Sequence, residues 1–248
     1  MSQLLSERIA QGQQKVGIPT EVDLGQFANL VSMFDHCVNT FADKPATSCL
    51  GHTLSYGELE KLSGQFASFL QNHTDLKSGD RIAIQLPNIL QYPVVLFGAM
   101  RAGLIVVNTN PLYSERELKH QLNDSGAKAM VVLANIAKTA EAVIPETGVE
   151  TVIVTEVADL HSPVKRTLIN TVLKHIRKEV PKTSFDNVLS LRQALSKGSS
   201  GQFTAAAPDA EALALLQYTG GTTGVSKGAM ISHRNLMANV LQSKSLFE

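Results

Sequence analysis

The chain has 248 residues, 44% of them hydrophobic and 18% charged, with 26 Gly or Pro; collagen-like, coiled-coil and largely disordered classes are excluded, and the length supports a sizeable globular core. Lys plus Arg (22) balances Asp plus Glu (22), which argues against a generally basic nucleic-acid binder. Cys37 and Cys49 are the only cysteines, too few for a disulfide framework or a four-cysteine zinc site, and they point to a reduced, cytoplasmic protein.

The N-terminus MSQLLSERIAQGQQ is polar where a secretion signal needs an apolar core, so export is not expected. Residues 30–41 read as a helix, and TSCLGHTLSY as a hairpin turning at Gly51-His52. Ser55 caps a helix over YGELEKLSGQFASFL, in which Leu59, Leu62, Phe66 and Phe69 recur at spacings of three and four. The strand RIAIQLP follows Asp80, then a helix over 88–102 and the β-branched run LIVV after Gly103. The most apolar stretch, VVLFGAM, stops at Arg101, well short of the roughly 18 apolar residues of a membrane span. Ser114 opens the next helix, SERELKHQLNDSG, with Glu117 completing a capping box. Strand AKAMVVL, a helix over 136–143 and strand TVIVT continue the alternation. Such a succession with nearly continuous apolar strands predicts an α/β fold: a doubly wound, mostly parallel sheet with flanking helices.

Residues 161–182, HSPVKRTLINTVLKHIRKEVPK, carry six Lys or Arg and one acid, a local charge of +5 that leaves −5 for the rest. Val164, Leu168, Ile169, Val172, Leu173, Ile176 and Val180 share one helical face, flanked or opposed by Lys165, Arg166, Lys174, Arg177 and Lys178. Two readings fit this basic amphipathic helix: its apolar face packs on the domain, or it contacts an anionic membrane surface. Residues 196–208, SKGSSGQFTAAAP, are small and polar and are expected to form a flexible connection.

The segment LALLQYTGGTTGVSKGAMISH contains two short strands separated by TGGTTGVSK. Gly220, Gly221 and Gly224 permit positive φ and close backbone approach, so successive N–H groups can line a nest for anionic oxygens. Thr219, Thr222, Thr223 and Ser226 add hydroxyls, and Lys227 adds a point charge. Chemically, residues 217–229 form a polyphosphate grip. They are not the usual P-loop, because Lys227 precedes Gly228 and a strand instead of Ser/Thr and a helix. His36, His52, His73, His120, His161 and His175 show no metal-ligand spacing or paired nucleophile. His233 reads as a cap-adjacent structural residue, and Tyr218 as packing.

YTGGTTGVSKGAM resembles the phosphate-binding signature of the adenylate-forming superfamily of acyl-CoA synthetases, nonribosomal adenylation domains and luciferases. TLSYGELEKLSGQFASFLQ is similar to that superfamily's early helix motif, and FGAMRAGLIVVNTNPLYSERELKHQLNDSGAKAMV to its second core motif. VNTNPLYSERELKHQLNDSGAK and LQYTGGTTGVSKGAMISHRNL resemble bacterial long-chain fatty-acid CoA ligases in particular.

The resemblance implies the N-terminal part of the large domain of an adenylate-forming enzyme, with ATP, Mg2+, a fatty acid and coenzyme A as ligands. A fatty-acid carboxylate would attack the α-phosphorus of ATP and release pyrophosphate; the thiol of coenzyme A would then displace AMP. It implies further that Thr219, Gly220, Gly221, Thr222, Thr223, Gly224, Ser226 and Lys227 bind the ATP phosphates, that Thr219 contacts magnesium, and that the protein is cytoplasmic, with a peripheral place on the inner face of the membrane. No catalytic residue is assigned within the chain; the C-terminal domain and its adenylation lysine are expected beyond it, and residues 1–248 alone are expected to be inactive. Alternatives are another acyl- or aryl-CoA ligase, an amino-acid-adenylating enzyme, or a noncatalytic ATP- or lipid-binding module.

Overall fold

The computed structural model describes residues 3–15, 22–185, 188–219 and 226–245. Helix α1 (Gln3–Lys15) and helix α2 (Leu30–Thr40) come first. The hairpin β1 (Pro45–Cys49) and β2 (His52–Ser55) leads into α3 (Tyr56–Asn72). The alternating block is β3 (Arg81–Gln85), α4 (Gln91–Arg101), β4 (Ile105–Asn108), α5 (Glu115–Ser125), β5 (Ala127–Leu133), α6 (Ala137–Val143) and β6 (Thr151–Thr155). After it come α7 (Pro163–Thr171), β7 (Leu189–Ser190), α8 (Leu191–Gly198), β8 (Leu213–Thr219), β9 (Lys227–Ser232) and α9 (His233–Lys244).

Seven strands form one sheet in the order β7-β6-β5-β3-β4-β8-β9, all parallel except β9, which runs antiparallel to β8. The expected doubly wound, mostly parallel sheet is therefore present. Its strands read as continuous apolar runs because both faces are buried. Ile82, Ile84, Val106, Val131 and Ile153 point to one core, shared with α2, α3, α4 and α8. Ala83, Val107, Met130, Val132 and Val152 point to the other, closed by Leu118 and Leu122 of α5 and Ala137, Ala140 and Val143 of α6.

Helix starts follow cap chemistry. The Ser55 hydroxyl accepts from Glu58 N at 3.1 Å while the Glu58 carboxylate accepts from Ser55 N at 2.9 Å; Ser114 and Glu117 repeat the reciprocal pair. The 88–102 helix begins only at Gln91. Pro87 is the reason: the Ile89 N–H bonds back to its carbonyl at 2.8 Å, which turns the chain tightly at the strand end. The hairpin turns at Leu50-Gly51, one residue earlier than expected. Cys49 pairs with His52, so both loop residues need positive φ, and Leu50 (48°) adopts it beside Gly51 (69°).

The basic segment is not one helix to Val180. Helix α7 continues as a single π-turn over Val172–Ile176, and Lys178 then takes a left-handed φ of 56°, which ends the spiral. The face turned inward is mixed: buried Asn170 accepts from Ala158 N at 3.0 Å, and Ile169, Val172 and Leu173 are half-buried. Val164, Leu168 and Ile176 are 79%, 63% and 72% exposed.

Residues 196–208, expected to be flexible from their composition, are tied down along their length. Their first turn completes α8, whose Gly198 lies so close to α3 that an added Cβ would fall 1.9 Å from the Gln65 carbonyl oxygen. Beyond it, Gln71 bonds reciprocally with Thr204, Asn72 donates to the Gln202 carbonyl at 2.8 Å, and Asn29 donates to the Pro208 carbonyl at 2.9 Å. Phe203 covers the guanidinium of Arg101, whose carbonyl accepts from Ala206 N. Composition does not reveal partners contributed from α2, α3 and α4.

Candidate functional site

Strand β8 lies parallel to β4, so its carboxyl end comes up beside those of β3 and β4, where ligands settle in open α/β sheets. There β8 and β9 pair antiparallel, Tyr218 opposite Gly228 and Thr219 opposite Lys227. The hairpin closes because Gly228 has no side chain: a Cβ there would meet the Tyr218 ring at 2.9 Å. Thr219 and Lys227 are exposed at the mouth of this hairpin, and no ion pair engages Lys227 among the described residues. Ser226 is half-buried beside them. Gly220, Gly221, Thr222, Thr223 and Gly224 lie outside the described residues.

A cavity of about 1180 Å³ opens against the base of the hairpin, bounded by Asn88, Tyr92, Asn108, Gln217, Tyr218 and Ser226 among others. Part of its wall is a chain of neutral hydrogen bonds, and Arg116, Glu117 and His120 of α5 complete another part. The Tyr92 hydroxyl donates to Asn108 Oδ1 at 2.8 Å, and Asn108 Nδ2 donates to Gln217 Oε1 at 3.1 Å. Gln121 and Gln85 donate to the carbonyls of Asn108 and Asn110, fixing the segment after β4. Burial pushes the Tyr92 hydroxyl above its ordinary pKa, so it remains a neutral donor.

Helix α5 grips both stems of the hairpin. The Tyr218 hydroxyl donates to Asp124 Oδ2 at 2.6 Å, and burial followed by the Asp124 carboxylate raises its pKa well above the usual phenol range. One turn earlier, His120 Nε2 lies 3.0 Å from the Ser226 carbonyl oxygen. Tyr218 thus packs, as expected, and also anchors. His120 and Asp124 lie within the SERELKHQLNDSG segment without an assigned role there, and their i, i+4 spacing opposite buried Leu118 and Leu122 is an available signal.

The remaining expectations fall elsewhere. His233 is buried at the start of α9, at the opposite end of β8 from Thr219, and burial lowers its pKa. Lys165, Arg166, Lys174, Arg177 and Lys178 lie on α7 and the turn after it, away from the β8–β9 hairpin in the sheet order. Cys37 and Cys49 are free and half-buried, and burial pushes the Cys37 thiol up, away from reactive thiolate behaviour.

A magnesium ion would find limited protein support here. No group of three or more His, Cys, Asp or Glu able to hold a metal ion occurs among the described residues, and Thr219 offers a single neutral hydroxyl. That set fits an ion carried mainly by phosphate oxygens and waters.

The AMP-binding enzyme family matches residues 34–248. The long-chain-fatty-acid–CoA ligases of Salmonella typhimurium and Escherichia coli O157:H7 are 47% and 48% identical over 230 residues, which is 93% of this chain and 41% of each of those proteins. The crystal structure of a long-chain-fatty-acid–CoA ligase from Archaeoglobus fulgidus superposes with a TM-score of 0.69 at 26% identity, over 88% of this chain and 39% of that one. The chain thus spans about two fifths of the length of the relatives it matches.

Proposed function

The chain belongs to the AMP-binding enzyme family, and from that premise we propose that it carries the phosphate grip of an enzyme that activates a long-chain fatty acid with ATP and passes it to coenzyme A. The observation that carries this reading is the β8–β9 hairpin, which sets Thr219 opposite Lys227 in the crevice at the carboxyl ends of the strands. As the fatty-acid carboxylate attacks the α-phosphorus, negative charge moves onto the departing pyrophosphate. Lys227, the Thr219 and Ser226 hydroxyls and the amides and hydroxyls of Gly220, Gly221, Thr222, Thr223 and Gly224 would stabilise that charge from preset positions. Magnesium, held by the phosphates with Thr219 as a protein contact, would neutralise part of it. The acyl group is read from the names of the relatives, all three long-chain-fatty-acid–CoA ligases.

Fatty-acid-dependent ATP–pyrophosphate exchange by the full-length protein tests this reading. Exchange should rise with acyl chain length and be absent for residues 1–248 alone. Exchange driven by an aryl or amino acid would transfer the reading to another adenylating enzyme, and exchange by residues 1–248 would overturn the division of labour.

A second element concerns place. Exposed Val164, Leu168 and Ile176, flanked by Lys165, Arg166, Lys174, Arg177 and Lys178, support peripheral contact of a cytoplasmic protein with an anionic inner membrane surface, while Ile169, Val172, Leu173 and Val180 of the same face are half-buried. Each Lys or Arg near such a surface contributes about 1 kcal/mol. No helix of the described residues is long and apolar enough to cross a membrane. Flotation with phosphatidylglycerol-containing liposomes should recover the protein and with phosphatidylcholine alone should not, and Leu168→Glu with Ile176→Glu should abolish recovery. Recovery independent of anionic lipid would remove this element.

A further inference from the structure

Helix α5 presents His120 and Asp124 one turn apart, and each reaches a different strand of the phosphate hairpin. Asp124 holds the end of β8 through the Tyr218 hydroxyl at 2.6 Å, while His120 meets the Ser226 carbonyl, immediately before β9, at 3.0 Å. The helix cannot rock freely. Leu118 and Leu122 are fully buried in the core beneath it, Gln121 donates to the Asn108 carbonyl, and a capping box fixes its start at Ser114. The two contacts therefore refer the hairpin's mouth to the sheet.

The chemistry of the His120 contact is defined. A carbonyl oxygen only accepts, so Nε2 must carry a proton and donate. This bond is the described hydrogen bond at Ser226, next to Lys227, and on the β8 side the strand ends at Thr219, next to anchored Tyr218.

We infer that His120 is a positioning residue for the phosphate grip: through the Ser226 carbonyl it sets where Lys227 stands relative to Thr219, with Asp124 and Tyr218 as the matching anchor on the other strand. The inference rests on the reading of Thr219 and Lys227 as phosphate ligands. It extends that reading to a residue on α5, at the wall of the same cavity.

The test is pyrophosphate exchange by the full-length protein at varied ATP and varied fatty acid, with thermal unfolding in parallel. Losing one oriented hydrogen bond in His120→Ala should raise KM for ATP about tenfold, with KM for the fatty acid and the unfolding midpoint little changed. His120→Gln, whose Nε2 amide can donate from a comparable reach, should bring KM for ATP back to within about threefold. Asp124→Ala should act like His120→Ala, since it frees the opposite strand. If His120→Ala leaves KM for ATP unchanged while Lys227→Ala impairs exchange, the positioning role is wrong and the phosphate reading stands. If His120→Ala lowers the midpoint and kcat without moving KM for ATP, or Gln does not rescue, His120 is merely structural and the proposal is overturned. If Lys227→Ala exchanges like the parent, the phosphate reading fails and takes the proposal with it.

Discussion

Lys227→Ala in the full-length protein should slow fatty-acid-dependent pyrophosphate exchange by about 100-fold, the scale of losing one preset donor to a developing charge, while changing unfolding free energy by less than about 0.5 kcal/mol. The separation between the two effects follows from its position. Lys227 opens β9 at the exposed mouth of the hairpin, no ion pair holds it among the described residues, and its strand is paired through backbone groups that alanine retains. The fold therefore loses little when the ammonium goes. On the proposed reading, the departing pyrophosphate would lose a cation that Thr219 and Ser226, neutral hydroxyls, could not replace. An exchange rate within threefold of the parent would remove Lys227 from the grip, and an equal loss of stability and rate would make it a structural residue.

Arg101→Ala should destabilise the protein by about 3 kcal/mol, measured as urea unfolding, in the range of large-to-small core substitutions. Arg101 is a charged residue inside the main core, with a side chain only 6% exposed. Its guanidinium donates to the Glu60 carbonyl and the Ser63 hydroxyl at 2.8 Å, pairs with the Glu60 carboxylate at 2.8 Å, and sits 4.8 Å and 5.6 Å from the ring centres of Phe203 and Phe34. Truncation empties that slot and releases Phe203, one of the residues by which the 196–208 segment is held before it delivers β8. Glu60→Gln should cost less, about 1 kcal/mol. The Glu60 side chain is 44% exposed and its backbone carbonyl still accepts, so Arg101 keeps most of its partners. A cost below about 1 kcal/mol for Arg101→Ala would mean that the strap closes without the guanidinium.

The sequence by itself determined most of the fold. Period-3.6 apolar patterns, Ser55 and Ser114 with their acidic partners, and the nearly continuous apolar runs in RIAIQ and AKAMVVL are local signals, read over a few residues by hydrogen-bonding geometry and burial. Side-chain chemistry likewise makes Thr219, Ser226 and Lys227 candidate polyphosphate partners without reference to the strands around them. Only the tertiary structure decided features that depend on partners far along the chain. His120 has no meaning until Ser226, 106 residues later, is folded against it. A Gly- and Ser-rich connection becomes a strap because Asn29, Gln71, Asn72 and Arg101 reach it across 105 to 179 residues. The basic segment keeps Asn170 inside because Asp159 and Ala158 offer it polar partners, with Val164, Leu168 and Ile176 exposed and Ile169, Val172 and Leu173 half-buried, whereas a helical wheel sees only the segment itself. Local propensity carries no information about which distant group will supply a hydrogen bond, and packing supplies that choice.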